Sequence, residues 1–473
     1  MRWVMTRLRA RSERDARPVR TLVVVDDPTE EVTDLLQQLI RNACVNDGTV
    51  ESGQESRNVD LLRSELEGSG IDIETYEPQP GRSNLVARIE GSDPDAPTLL
   101  LMGHTDVVPV SPDGWRRDPF GGELVDGEVW GRGAVDMLNL TASMAVATKR
   151  LAQSGFRPKG TLVYLAVADE EALGTWGASH LVDHETDAVR ADYVITESGG
   201  IPIPGFGPEG GIKLPVLVGE KGGAATRLTV KGQPGHGSQP FRTDNALVKA
   251  AEVVRRITEY RGDTDIHDTW RAFLAGLDLP AELVEPLVDP ERFWDALDLL
   301  PDGLARMAHA CTHTTVSANI VRGGQKINVI PDSVELELDI RTLPGWEPGD
   351  VEAMLVDAIG PDLTGDVLIE VQGERPATLS AIDTPLWDTL ARTTQKFYAG
   401  STTIPMLMVG ATDARFFRPI GATAYGFGLF SQRLTYEDFA TMFHGHNERV
   451  DTESLRLSTE LWQAVARDLL EAS

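Results

Sequence analysis

Three short apolar runs in this chain each end on groups that a protein interior cannot hold without a partner. The first, residues 99–102, runs into Gly103-His104-Thr105-Asp106; the second, residues 161–168, ends in Asp169-Glu170-Glu171; the third, residues 191–196, delivers Glu197 before a glycine pair. Apolar runs of this length with no helical period read as buried strands. They alternate with segments of helical spacing, which indicates an α/β sheet. In open α/β sheets, ligands collect just beyond the carboxyl ends of the strands. Taken singly, each ending has a plain structural reading: His104 as a satisfied histidine, the three carboxylates as a solvated acidic turn. Their recurrence at three strand ends weighs against coincidence, because adjacent carboxylates repel one another unless a cation is shared among them.

The remaining chemistry lies on loops. A long loop over residues 114–131 leads into Gly131-Arg132-Gly133-Ala134-Val135-Asp136 ahead of a helix over 140–151, so Asp136 stands where a helix cap is the simplest explanation. Near the C-terminus a glycine loop, Gly410-Ala411-Thr412-Asp413-Ala414-Arg415, precedes a strand over 422–427, and His444-Gly445-His446-Asn447-Glu448 precedes a closing helix over 454–470.

At 473 residues the chain exceeds what one core usually serves, so two domains are expected. The pattern changes near residue 214 to strand, helix, strand, strand, helix, strand. That is the order of a ferredoxin-like α+β unit, inserted over 214–376 between two parts of an α/β domain, 21–213 and 377–473. A helical stretch over 265–310 is long for such a unit. The net charge of −29 is spread along the chain and repels phosphate, which argues against nucleic-acid and anionic-membrane partners. Cys44 and Cys311 are too far apart to indicate a thiolate zinc site or a disulfide framework. Residues 1–20 read as a disordered basic leader with no secretory apolar region. With no membrane-length apolar run either, a cytoplasmic protein is expected.

His104, Asp136, Glu170, Glu171, Glu197 and one histidine of the C-terminal pair form a mixed set suited to zinc or a similar divalent ion. The set is large enough for two metals ~3.5–4 Å apart sharing a bridging carboxylate, with one carboxylate to spare as general base.

Gly103-His104-Thr105-Asp106-Val107-Val108-Pro109, Gly131-Arg132-Gly133-Ala134-Val135-Asp136, Asp169-Glu170-Glu171, Gly235-His236-Gly237-Ser238, Asn328-Val329-Ile330-Pro331 and His444-Gly445-His446-Asn447-Glu448 occur in this order. Together they resemble the motifs of the co-catalytic zinc aminoacylase and carboxypeptidase family, which includes acetylornithine deacetylase, succinyl-diaminopimelate desuccinylase, glutamate carboxypeptidase and carboxypeptidase S. The resemblance implies a zinc-aminopeptidase-like α/β/α catalytic domain carrying a ferredoxin-like lid that also serves dimerisation, hence a homodimer. It implies two zinc ions, replaceable by cobalt or manganese: one on His104, Asp136 and Glu197, the other on Asp136, Glu171 and His444, with Asp136 bridging. His446 is left as a neighbour. Glu170 matches the general base that deprotonates the metal-bound water, and Asp106 the residue that orients His104. His236 matches a histidine reaching the substrate carbonyl from the partner subunit, and Arg341 and Asn328 match substrate contacts; Arg415 could do similar work or be structural. The implied substrates are small N-acyl amino acids or dipeptides with a free carboxylate. The alternatives are a dedicated biosynthetic deacylase, such as a succinyl-diaminopimelate desuccinylase, and a non-catalytic metal-binding scaffold. One departure is the sequence after Asp136, Met137-Leu138-Asn139, which lacks a lysine that many relatives carry.

Overall fold

The computed structural model describes residues 27–206 and 210–471, so the expected leader at 1–20 lies outside the described residues. The apolar runs form the middle of a ten-stranded sheet. Its order is Asp72–Gln79, Arg82–Ile89, Thr161–Val167, Thr98–His104, Tyr193–Thr196, Thr423–Gly426, Ile212–Glu220 and Thr378–Leu379; Thr402–Met408 and Ile203–Pro204 also pair with Ile212–Glu220. The four strands from Thr161–Val167 to Thr423–Gly426 are parallel to one another. Their carboxyl ends therefore reach the same edge of the sheet, and this gathers His104, residues 169–171 and Glu197.

The runs are continuous, not alternating, because both faces of the sheet are covered. Along Thr98–His104, Leu99 and Leu101 enter one apolar cluster while Leu100 and Met102 enter another. Along Thr161–Val167, Leu162, Tyr164 and Ala166 face the first cluster, and Val163, Leu165 and Val167 the second. A parallel strand buried on both faces needs apolar residues at every position. Helices Thr29–Arg41, Ser56–Leu66, Leu138–Gln153 and Thr452–Glu471 close the first face, and Ala178–His184 with Ala414–Phe417 the second.

A separate antiparallel sheet has the order Thr315–Gly323, Ser333–Arg341, Gly223–Lys231, Val367–Arg375. Helices Ala246–Glu259 and Asp350–Ile359 cover it through a third apolar cluster that includes Leu228, Val253, Leu336 and Leu355. The chain order is the expected strand-helix-strand-strand-helix-strand. Asn245 starts the first of these helices by accepting a hydrogen bond from the Leu247 N–H at 2.9 Å.

The stretch expected to be helical over 265–310 forms four short helices, Asp268–Gly276, Ala281–Leu287, Phe293–Leu297 and Asp302–Thr312. Their core does not join that of the four-stranded unit. Trp270, Phe273 and Leu274 pack instead with Ile404 from the strand Thr402–Met408 of the large sheet. Gly276 permits the approach, since a Cβ there would stand 2.3 Å from Ile404 Cγ2. Among the described residues, no helix is long and apolar enough to cross a membrane.

Candidate metal centre and active site

His104 closes its strand with its ring oriented from two sides. Nδ1 lies 2.9 Å from the main-chain oxygen of Asp106 and 3.5 Å from that residue's Oδ1, while Nε2 lies 3.2 Å from Asp136 Oδ1. Asp136 sits between two imidazoles: its Oδ2 is 2.9 Å from Nε2 of His444, which is also 3.2 Å from Glu171 Oε2. Donor atoms of His104, Asp136 and Glu171, and again of His104, Glu170 and Glu197, fall within 4.8 Å of one another. Asp136 therefore does not cap the helix that follows it, which starts without a side-chain cap. Of the C-terminal histidines, His444 reaches the cluster, and His446 turns to Trp115 with ring centroids 6.5 Å apart.

The charges show what the cluster is suited to hold. Burial, then the neighbouring charges of Glu197 and Asp413, push Glu170 well above the ordinary carboxylate range. Glu197 is raised in the same way by burial and by Asp136. Burial works against ionising Asp136, but hydrogen bonds from His104 and His444 win and hold it below the usual range. His444 is raised to about 10 by its hydrogen bonds to Asp136 and Glu171. One buried oxygen, Glu171 Oε1, has no hydrogen-bond partner. Four carboxylates packed around two imidazoles, with an oxygen left over, are unfavourable unless cations are shared among them. A mixed oxygen and nitrogen donor set of this kind fits zinc or a comparable divalent ion.

The site is braced by residues that sequence reasoning did not single out. Glu448, fully buried, accepts hydrogen bonds from the N–H groups of Gly133, Val135 and Asp136 at 3.1, 2.8 and 3.0 Å, and pairs with Arg132 at 2.9 Å. It thereby shapes the loop that presents Asp136. Behind the Glu170-Glu171 turn, buried Arg82 lies 3.0 Å from Glu55 and also pairs with Asp169. Asn46 donates to Asp106 at 2.8 Å and to Asp169 at 3.1 Å, and Asp106 accepts the Glu171 N–H at 3.2 Å. Arg132, Asp169 and Glu448 lie inside motifs already quoted; Asn46, Glu55 and Arg82 carry no local signal. After Glu197, Ser198, Gly199 and Gly200 take φ of 68°, 79° and 70°. A Cβ on Gly200 would stand 1.8 Å from Gly428 O, so only glycine lets this turn pack there.

The remaining expected residues fall in two places. Arg415 comes to the cluster, partly buried, with Nη1 3.8 Å from Glu170 Oε1 and 2.9 Å from Thr412 O. Beside it Asp413 is buried with neither carboxylate oxygen hydrogen-bonded, and burial raises it to about 7. His236 and Asn328 meet on the four-stranded unit, where the Gly237 N–H donates to Asn328 O at 2.8 Å and His236 pairs with Val329. Arg341 ends the strand Ser333–Arg341 with Nε 2.8 Å from Asp339. Among the described residues, no hydrogen bond or ion pair joins these three to the cluster.

The profile of Peptidase family M20/M25/M40 matches residues 100–468, which carry every member of the cluster. This chain belongs to that family. Its aminoacylase and peptidase members are hydrolases of amide bonds, and so is this chain. It is 27% identical over 434 residues to the N-fatty-acyl-amino acid synthase/hydrolase PM20D1 of Xenopus tropicalis, covering 88% of this chain and 82% of the relative. It is 27% identical over 388 residues to Aminoacylase-1B of Rattus norvegicus, covering 80% and 82%. The fold matches the crystal structure of an M20 family metallo-carboxypeptidase from Sulfolobus solfataricus with a TM-score of 0.66 at 18% identity, over 95% of this chain and 100% of that one.

Proposed function

We propose that this M20 hydrolase cleaves the amide bond of small N-acyl amino acids or dipeptides that carry a free carboxylate, using two zinc ions. The observation that carries the reading is the cluster of His104, Asp136, Glu170, Glu171, Glu197 and His444 at one edge of the sheet, buried apart from the open side at His444. The relatives' names, an aminoacylase and a fatty-acyl-amino acid hydrolase, support the substrate class.

His104, Asp136 and Glu197 would hold one ion, and Asp136, Glu171 and His444 the other. Bound there, the ions supply Lewis acidity that activates water and stabilises developing oxyanion charge. The protein's own work is positioning and proton transfer. Glu170, buried beside Arg415, is the carboxylate left over for a proton: it takes one from the attacking water and passes it to the leaving nitrogen. Asp106 and Asn46 fix the His104 ring and the Glu171 backbone, and Glu448 fixes the loop of Asp136. The four-stranded unit is the lid, with His236, Asn328 and Arg341 as substrate contacts. Its edge strand, exposed from 317 to 323 and carrying Ile320 and Val321, supports a role in pairing with a second copy.

Elemental analysis is expected to find up to two zinc per chain, and chelation to abolish hydrolysis while the far-UV circular dichroism stays unchanged, because the strands have their own apolar cores. Full turnover by metal-free protein would remove the mechanism. Arg341→Ala is expected to weaken kcat/KM on carboxylate substrates by ~1.5–3 kcal/mol of transition-state binding, and less on their amides. An equal loss on both substrates would make Arg341 a support of the lid.

A further inference from the structure

A cavity of about 230 Å³ opens beside the metal-binding cluster, walled by Leu217, Met406, Met408, Tyr436, Phe439 and Phe443. Among the described residues no charged side chain lines it. Two of its wall residues adjoin members of the cluster in sequence. Ser198, in its wall, follows Glu197, and Phe443 precedes His444 with the two rings stacked, centroids 5.0 Å apart and planes 17° apart.

We infer that this cavity is the acyl-chain subsite, shaped for an unbranched apolar acyl group of about eight heavy atoms, with the helix Tyr436–Met442 setting its length. The inference rests on the hydrolase reading above. In that reading the lid residues hold the carboxylate of the amino acid. The cavity is walled by the catalytic part of the chain, with no lining residue between 221 and 376, so the acyl end lies on its side. The capacity follows from roughly 30 Å³ for each group of water size. The wall also suits a flexible chain: two methionines adapt to varied shapes, and the aromatic rings of Phe439 and Phe443 offer broad apolar contact. The specificity helix leads directly into Phe443 and His444, so a change in chain length at the wall is felt one residue from the cluster.

The test uses the zinc-loaded enzyme and two substrate series. In one, N-acyl-alanines run from acetyl to dodecanoyl; in the other, N-acetyl amino acids run from alanine to tryptophan. The expected result is a rise in kcat/KM of about fourfold per methylene in the acyl series, levelling near octanoyl, with a much shallower response in the side-chain series. Ala440 lines the cavity and is exposed on the helix, so Ala440→Trp fills the space without disturbing the core. It is expected to lower the octanoyl-to-acetyl ratio of kcat/KM by at least about tenfold. Met408→Ser, which makes the wall polar, should lower the same ratio, and circular dichroism checks the fold of both variants. Three results overturn the inference: a flat acyl series alongside cleavage of the acetyl substrate, a steep response confined to the side-chain series, or a ratio unchanged in both variants. Failure to cleave any member of either series is distinguishable from these: with alanyl dipeptides still cleaved it overturns the subsite alone, and with dipeptides also refused it overturns the proposed substrate class and the subsite with it.

Discussion

Glu170→Gln is expected to keep the protein folded and its divalent ions bound while turnover falls by roughly 10²–10⁴-fold, the usual loss when a general base is removed. Glutamine keeps the size and hydrogen-bonding capacity of the side chain but cannot accept the proton. Glu170 and Glu171 are adjacent yet differently placed: Glu171 reaches His444 at 3.2 Å, whereas Glu170 groups with His104 and Glu197 and lies 3.8 Å from Arg415. Glu171→Gln replaces an anionic donor and should lower metal occupancy at the second position. Metal content and turnover measured on both variants decide the roles. Loss of metal in Glu170→Gln, with loss of rate alone in Glu171→Gln, would reverse the assignment.

Arg82→Ala is expected to cost ~3–5 kcal/mol of stability, although the residue touches no candidate metal donor. Arg82 is 1% exposed and is the cation between Glu55 and Asp169, with a further hydrogen bond to Ser52 O at 2.8 Å. Without it, two carboxylates stay buried and uncompensated directly behind the Glu170-Glu171 turn. Denaturant unfolding of the variant measures the loss, and Arg82→Lys separates charge from geometry, since an ammonium restores the charge but not the planar fork. A loss below about 1 kcal/mol for Arg82→Ala would mean that water enters to solvate Glu55 and Asp169, as at an exposed pair.

The central strands were legible because burial on both faces writes itself as uninterrupted apolar sequence, and His104, Glu170, Glu171 and Glu197 were legible because they end those runs; Asp136 and His444 lie on loops, where the motif resemblance gave them their place. The strands Ile212–Glu220 and Thr402–Met408 were not read, and each contains a proline, Pro215 and Pro405, which argues against a strand in an interior position. The structure pairs these two strands with each other in parallel, Ile404 opposite Pro215 and Pro405 opposite Val216. The helical stretch over 265–310 was legible as helix but not in its destination. Its partner, Ile404, is more than a hundred residues away on one of those unread strands. The bracing of the site by Asn46, Glu55 and Arg82 left no mark for a similar reason: each is an ordinary polar residue whose role comes only from long-range packing.

Glu448 has a consequence for how this enzyme comes into being. The carboxylate that shapes the Asp136 loop arrives 313 residues after the amide of Val135 that it binds, and His444 and the strand Thr423–Gly426 come equally late. Synthesis runs from the N-terminus, so a chain emerging from the ribosome has its first four strands available long before the groups that complete the cluster exist. Until then the Asp136 loop lacks its acceptor and the carboxylates at the sheet edge lack the His444 imidazole. The cluster is therefore complete only once the segment carrying His444 and Glu448 has closed over the first half of the chain.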